Sequence, residues 1–173
     1  MTFLKSCFMV GIFATLAAAI AVSAGAGTPV TFTLTAGALS ISAPTSGVSL
    51  GSQVVSASAS TVSGQLGVIT VTDQRGGATA WVASVIVTAF TPTTGPAVTA
   101  IPATSVSYST GTVTQAGVTT AQPVTTDLTG VSPVVNGTST GLSTASWNPT
   151  ISVLVPANAA PGIYSATITH SVA

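Results

Sequence analysis

The 173-residue chain carries four formal charges, Lys5, Asp73, Arg75 and Asp127, and has the length of one domain plus a leader. So little charge excludes nucleic acid as a partner, because neutralising phosphates takes several Lys or Arg, and it leaves few groups for acid–base chemistry. Hydrophobic residues supply 46% of the chain and Ser with Thr about another 30%, so solubility rests on hydroxyls.

In chain order, Met1 to Lys5 is a short basic stretch and Phe8 to Ala21 an apolar one, the pattern of a secretory signal peptide. Small residues around Ala24 and Ala26 offer two cleavage points, so residues 1–26 are expected to be removed and residues 27–173 to form the working domain. Lys5 and Cys7 leave with the leader, and the remainder has one Arg, two Asp, one His and no Cys. The domain is therefore expected to fold without disulfides, to have no membrane span after cleavage, and to be secreted.

From Thr28 onward the hydrophobic spacing has period two wherever it is regular. Val30, Phe32 and Leu34 alternate with Thr31, Thr33 and Thr35, which predicts a half-buried strand. The alternation returns at Leu39 and Ile41, over residues 66–72 and 81–88, at Val106 and Tyr108, at Ile151, Val153 and Val155, and over residues 164–169. Thr and Val dominate these runs, and β-branched side chains suit a pleated surface. Turns are expected at residues 44–51, 73–77, 92–96, 117–123 and 156–162, each rich in Gly, Pro, Asn or Asp. Asn136-Gly137 predicts a hairpin tip, and residues 111–146 around it read either as an extended hairpin or as a mobile loop. The whole pattern predicts an all-β fold, a single antiparallel β-sandwich of immunoglobulin-like architecture.

Several stretches together resemble the WxL-domain family, in particular the small secreted WxL-like surface proteins of actinobacteria. They are Val30-Thr-Phe-Thr-Leu-Thr-Ala36, Leu66-Gly-Val-Ile-Thr-Val-Thr-Asp-Gln-Arg-Gly76 followed by Trp81, Ser146-Trp-Asn-Pro-Thr150, and the closing segment from Val155 to Val172. The first Trp-x-Leu position reads Trp81-Val82-Ala83, and His170-Ser171-Val172 stands at the second. The resemblance implies a Gram-positive cell-surface protein held non-covalently on the wall, with peptidoglycan or other surface proteins as partners.

Residues able to carry chemistry are few. His170 is the only candidate base for a Ser-His-Asp hydrolase, and no nucleophile motif accompanies it. Asp73 and Asp127 are the only side-chain carboxylates a glycosidase could use, and both sit in turn-like sequence. Neither a zinc nor a calcium site can be assembled from one His and two Asp, no cofactor is expected, and the chain reads as a non-enzyme. Asp73 and Arg75 are expected to close a hairpin turn as an ion pair, with Arg75 the alternative anchor for a carboxylate or phosphate of the wall. Trp81 is expected in the core on the face it shares with Ala83, Val85 and Val87, while Trp147, before Asn148-Pro149, is expected to show an edge to solvent and divides between packing and sugar stacking. Tyr164 is expected to pack and to bond a loop backbone through its hydroxyl. Asn136-Gly-Thr138 has the form of a glycosylation acceptor, a use that the bacterial resemblance disfavours. Polar but uncharged strand faces lack the Lys and Glu that discourage edge pairing, so self-association is the second expectation.

Overall fold

The computed structural model describes residues 26–96, 98–123, 128 and 130–173, excluding the side chains of 118–123. The expected leader, residue 26 apart, and Asp127 lie outside these residues. Among the described residues the strands are β1 (Leu39–Ser42), β2 (Ser60–Gln65), β3 (Ile69–Asp73), β4 (Thr79–Val87), β5 (Thr91–Thr94), β6 (Val106–Ser109), β7 (Thr114–Pro123), β8 (Ser132–Trp147), β9 (Thr150–Val155), β10 (Ile163–Ser165) and β11 (Ile168–Val172). All their pairings are antiparallel.

The larger sheet is organised on β8. Residues 135–146 of β8 pair with β7 along one edge. Its other edge takes β4 over residues 132–139 and β3 over residues 143–147. Since a strand has only two edges, β3 and β4 follow one another along β8 as two segments of one line. The Asp73–Gly77 stretch is thus an excursion within that line rather than the hairpin turn expected from its composition. β1 then pairs with β3, and β11 with β4. The smaller sheet has the order β2-β9-β6, and β5 pairs with β10 in a two-stranded ribbon.

The two sheets face each other across one core. Ile69, Val71, Val85, Ala145 and Trp147 of the larger sheet meet Ile151, Val153, Val106 and Tyr108 of the smaller one. The expected all-β antiparallel sandwich therefore forms, because each legible run turns alternate side chains inward, as in Ile69, Val71 and Asp73 of β3. Two connections cross between the sheets side by side. Asn148 and Pro149 carry β8 into β9, while Leu66 to Val68 carry β2 into β3. Asn148 ties the crossings together: its Oδ1 accepts from Gly67 N at 3.0 Å and its Nδ2 donates to Gln65 Oε1 at 3.1 Å. Leu66 N donates to Pro149 O at 3.0 Å, and Pro149 itself has no N–H to leave unpaired.

Three sequence expectations need correction. Thr114–Pro123 and Ser132–Trp147 pair as an extended hairpin of β7 and β8, and Asn136-Gly137 lies inside β8 rather than at a tip. Gly137 is there because Trp81 lies directly opposite it in the register, and the indole covers the glycine where a Cβ would stand. Residues 117–123 were expected as a turn and instead belong to β7, with Gly117 at φ +81° supplying a bulge. Pro92 likewise lies in β5 rather than in a turn.

The N-terminal residues up to Leu34 form a unit separate from Thr35–Ala173. Within it, the described residues from 26 onward belong to no strand, and Val30, Phe32 and Leu34 are 87%, 84% and 83% exposed. The best-patterned strand of the sequence is thus extended chain, since alternation supplies an apolar face but not a neighbour to hydrogen-bond.

Candidate functional site

Asp73 ends β3 on its inward face and is 1% exposed. Its Oδ1 accepts from Arg75 N at 3.1 Å and Arg75 Nε at 3.0 Å, and its Oδ2 from Arg75 Nη2 at 3.0 Å and Thr79 Oγ1 at 2.8 Å. The ion pair expected between these residues is present, with the guanidinium fork bidentate on the carboxylate. Nη2 also donates to Ala80 O at 3.0 Å, so Arg75 fastens the start of β4 to the end of β3. Ser143 faces Asp73 in the register and Ser139 faces Thr79, and their hydroxyls bond each other at 2.8 Å. The excursion at 74–78 is therefore held by a buried polar cluster, and the fork of Arg75 is engaged within the fold.

Hydrogen bonds from the Arg75 side chain, helped by those from Arg75 N and Thr79, hold the Asp73 carboxyl well below the usual carboxylate range despite its burial. The sign of the linkage follows. A carboxyl depressed on folding stabilises the native state fully above its unfolded value near ~4, and that contribution is lost as pH falls through the depressed value. The unfolding temperature should therefore fall steadily below about pH 4, and the acid-dependent part should shrink in Asp73→Asn. The sequence contains only one other side-chain carboxylate, Asp127, so the difference is readable by calorimetry. An unchanged acid profile in Asp73→Asn would remove Asp73 from this role.

A second polar chain crosses the core between the sheets. Trp147, 2% exposed, donates from Nε1 to Tyr108 Oη at 2.8 Å, and Tyr108 Oη lies 3.1 Å from His170 Nε2. An indole N–H only donates, so the tyrosine oxygen accepts from Trp147, and the Tyr108–His170 bond runs in the sense that the His170 tautomer sets. Burial pushes the Tyr108 hydroxyl up to about 12, against a smaller opposite effect of the Trp147 bond, and burial also lowers His170. His170 on β11 is thus tied to the facing sheet through Tyr108. The expectation that Trp147 shows an edge to solvent is corrected: packing across the two sheets covers its ring.

Trp81 is in the core as expected, 2% exposed, with Ala83, Val85 and Val87 on its face. Its Nε1 is buried with no hydrogen-bond partner among the described residues. The two Trp-x-Leu-like positions come together, since Val172 lies opposite Ala83 and the chain end bonds Val82 through Ala173 N and O. Tyr164 donates to Ala160 O at 2.9 Å, the loop-backbone bond anticipated for it. Among the described residues no three His, Cys, Asp or Glu side chains gather as a metal site. No described helix is long and apolar enough to cross a membrane.

A concavity that was not legible in the sequence lies on the described residues. A groove of about 1010 Å³ runs between β2 and β11, with Val62, Phe90, Val155 and Ile168 among the apolar side chains lining it and the strand-free residues 43–56 along its rim. These four are only partly buried, so the core is open on this side. Its signal in the sequence is faint: residues 43–59 make a long stretch without period-two spacing, where a further strand could have closed the sandwich. No family model matches the chain, and no curated protein or solved structure matches it.

Proposed function

We propose that this chain is a secreted, non-enzymatic cell-envelope protein that associates non-covalently with the bacterial cell wall or with other surface proteins, as its resemblance to the WxL family implies. The observation that carries the reading is how its few chemically capable side chains are employed. Asp73, Arg75, Tyr108, Trp147 and His170 all bond within the fold, and the outward positions of the strands are largely hydroxyls, as in Thr61 and Ser63 of β2 or Thr169 and Ser171 of β11. A surface of this kind works through hydrogen bonds and apolar area. Ionic steering has little to act on.

Purified protein should therefore co-sediment with isolated cell-wall sacculi to the same extent at low and at high salt. Loss of most of the bound protein on raising ionic strength from 0.05 to 0.5 M would count against this mechanism. A second reading, self-association into a surface layer or fibril, is favoured by Val30, Phe32 and Leu34, exposed apolar side chains on extended chain.

A further inference from the structure

We propose that the groove between β2 and β11 takes up the acyl chain of a single-chain lipid, leaving the polar head at the rim formed by residues 43–56. The inference goes beyond wall association and does not depend on it.

The lining sorts by polarity. Its floor is the core itself, with Ile69 and Ile151 0% and Val153 2% exposed, and its walls include the partly buried Val62, Phe90 and Ile168. The rim carries hydroxyls at Thr45, Ser46, Ser49, Ser52 and Ser56. No Lys, Arg, Asp or Glu lines any part of the groove, so a charged group drawn inside would lose its hydration with nothing to replace it. His170 reaches the wall, but its Nε2 is already bonded to Tyr108 Oη at 3.1 Å. An apolar interior under an uncharged polar rim matches a molecule with a long apolar tail and a head that stays in water.

Shape narrows the class further. At about 1010 Å³ the groove lies at the upper end of ligand sites, which run to roughly 1,000 Å³. An added peptide strand draws its affinity from main-chain bonds to an open edge. Here β11 lies against β1, and Leu50 of the rim packs over Gly64 of β2, so what the groove offers is side-chain surface. An acyl chain uses such surface and needs no main-chain bonds. A bilayer meets outward faces, whereas this surface lies between two sheets.

The rim segment is tied at both ends, by Pro44 against Gly67 and by Ser56 O, which accepts from Asn158 N at 2.8 Å. Between these ties Val54 is 85% and Val55 52% exposed. A tail lying along the groove gives these two side chains an apolar neighbour, so the rim contributes to holding it.

The test is titration of the purified protein with a fluorescent long-chain fatty acid below its micelle concentration, beside Val62→Phe, Val54→Asp and Phe32→Asp. The wild type should take up one probe per chain, and each methylene removed from an unlabelled fatty acid should weaken its competition about fourfold. Val62→Phe fills part of the groove and Val54→Asp sets a charge at its rim, so both should weaken uptake about tenfold or more. Val54 is exposed, so its variant should keep the wild-type unfolding temperature even if overpacking at Val62 does not. Phe32→Asp, in the separate N-terminal unit, should bind as the wild type does. No uptake, competition that ignores chain length, uptake unchanged in both groove variants, or uptake lost in Phe32→Asp would each overturn the site. Attachment to phosphatidylcholine vesicles without uptake of the dissolved probe would overturn it too, making the surface a bilayer contact. Co-sedimentation with sacculi is read separately, so either reading can fail while the other stands.

Discussion

Replacing Gly137 with alanine should cost about 3 kcal/mol or more, a fall in unfolding temperature of about 10 °C for a domain of this length. The added methyl group would fall within the indole of Trp81, where Cε2, Cζ2 and Cδ2 are the nearest atoms. Neither partner can give way easily. Gly137 is inside β8, paired on one edge with Trp81 and on the other with Ala121, and the indole is 2% exposed in close-packed surroundings. A double-mutant cycle isolates the cause. Trp81→Leu alone should destabilise by opening a cavity, but Gly137→Ala added to it should cost much less than in the wild type, because the space under the ring is then free. Additive penalties in chemical denaturation would show that the glycine is required for something other than the indole.

The same pair explains what could be read from the sequence and what could not. β3, β4, β9 and β11 were legible because Ile, Val, Ala and Trp make up most of their inward positions at period two. β8 was not, because its inward positions include Gly137, Ser139, Ser143 and Ala145, small residues that make room for Trp81 or build the polar cluster beside Asp73. Periodicity reports which face of a segment is apolar, but not which neighbour lies beside it. So Asn136-Gly137 carried a strong turn signature inside a long strand, and residues 30–34 carried the clearest strand pattern without a partner. For the same reason the ion pair of Asp73 and Arg75 was foreseen while its setting was not. Two residues apart, an Asp and an Arg in a Gly-rich stretch pair locally whether that stretch closes a hairpin or interrupts a line of strand. The groove was the least accessible feature, since it arises between elements distant in the sequence and has no residue motif of its own.

Trp147→Ala should destabilise the domain by about 4 kcal/mol, the cost of emptying a fully packed aromatic site, with any effect on wall association following from that loss. Tyr108→Phe removes a single oxygen and should still cost about 2 kcal/mol, because it leaves the buried Trp147 Nε1 without an acceptor. The two substitutions can be told from a ligand-binding role by the only histidine of the chain. In the wild type, burial holds His170 below its ordinary value. Opening the core in Trp147→Ala should let water reach His170 and move its titration upward, toward the ordinary value, in an NMR pH series. The sign carries over to stability: a histidine lowered on folding stabilises the native state above its unfolded value near ~6.5, and this is lost as pH falls through the folded value. Trp147→Ala should therefore be less sensitive to acidification between neutral pH and about pH 5 than the wild type. A Trp147→Ala protein that kept its stability but no longer sedimented with sacculi would instead make Trp147 a ligand contact, and the chain from Trp147 through Tyr108 to His170 would cease to be the fastening between the sheets.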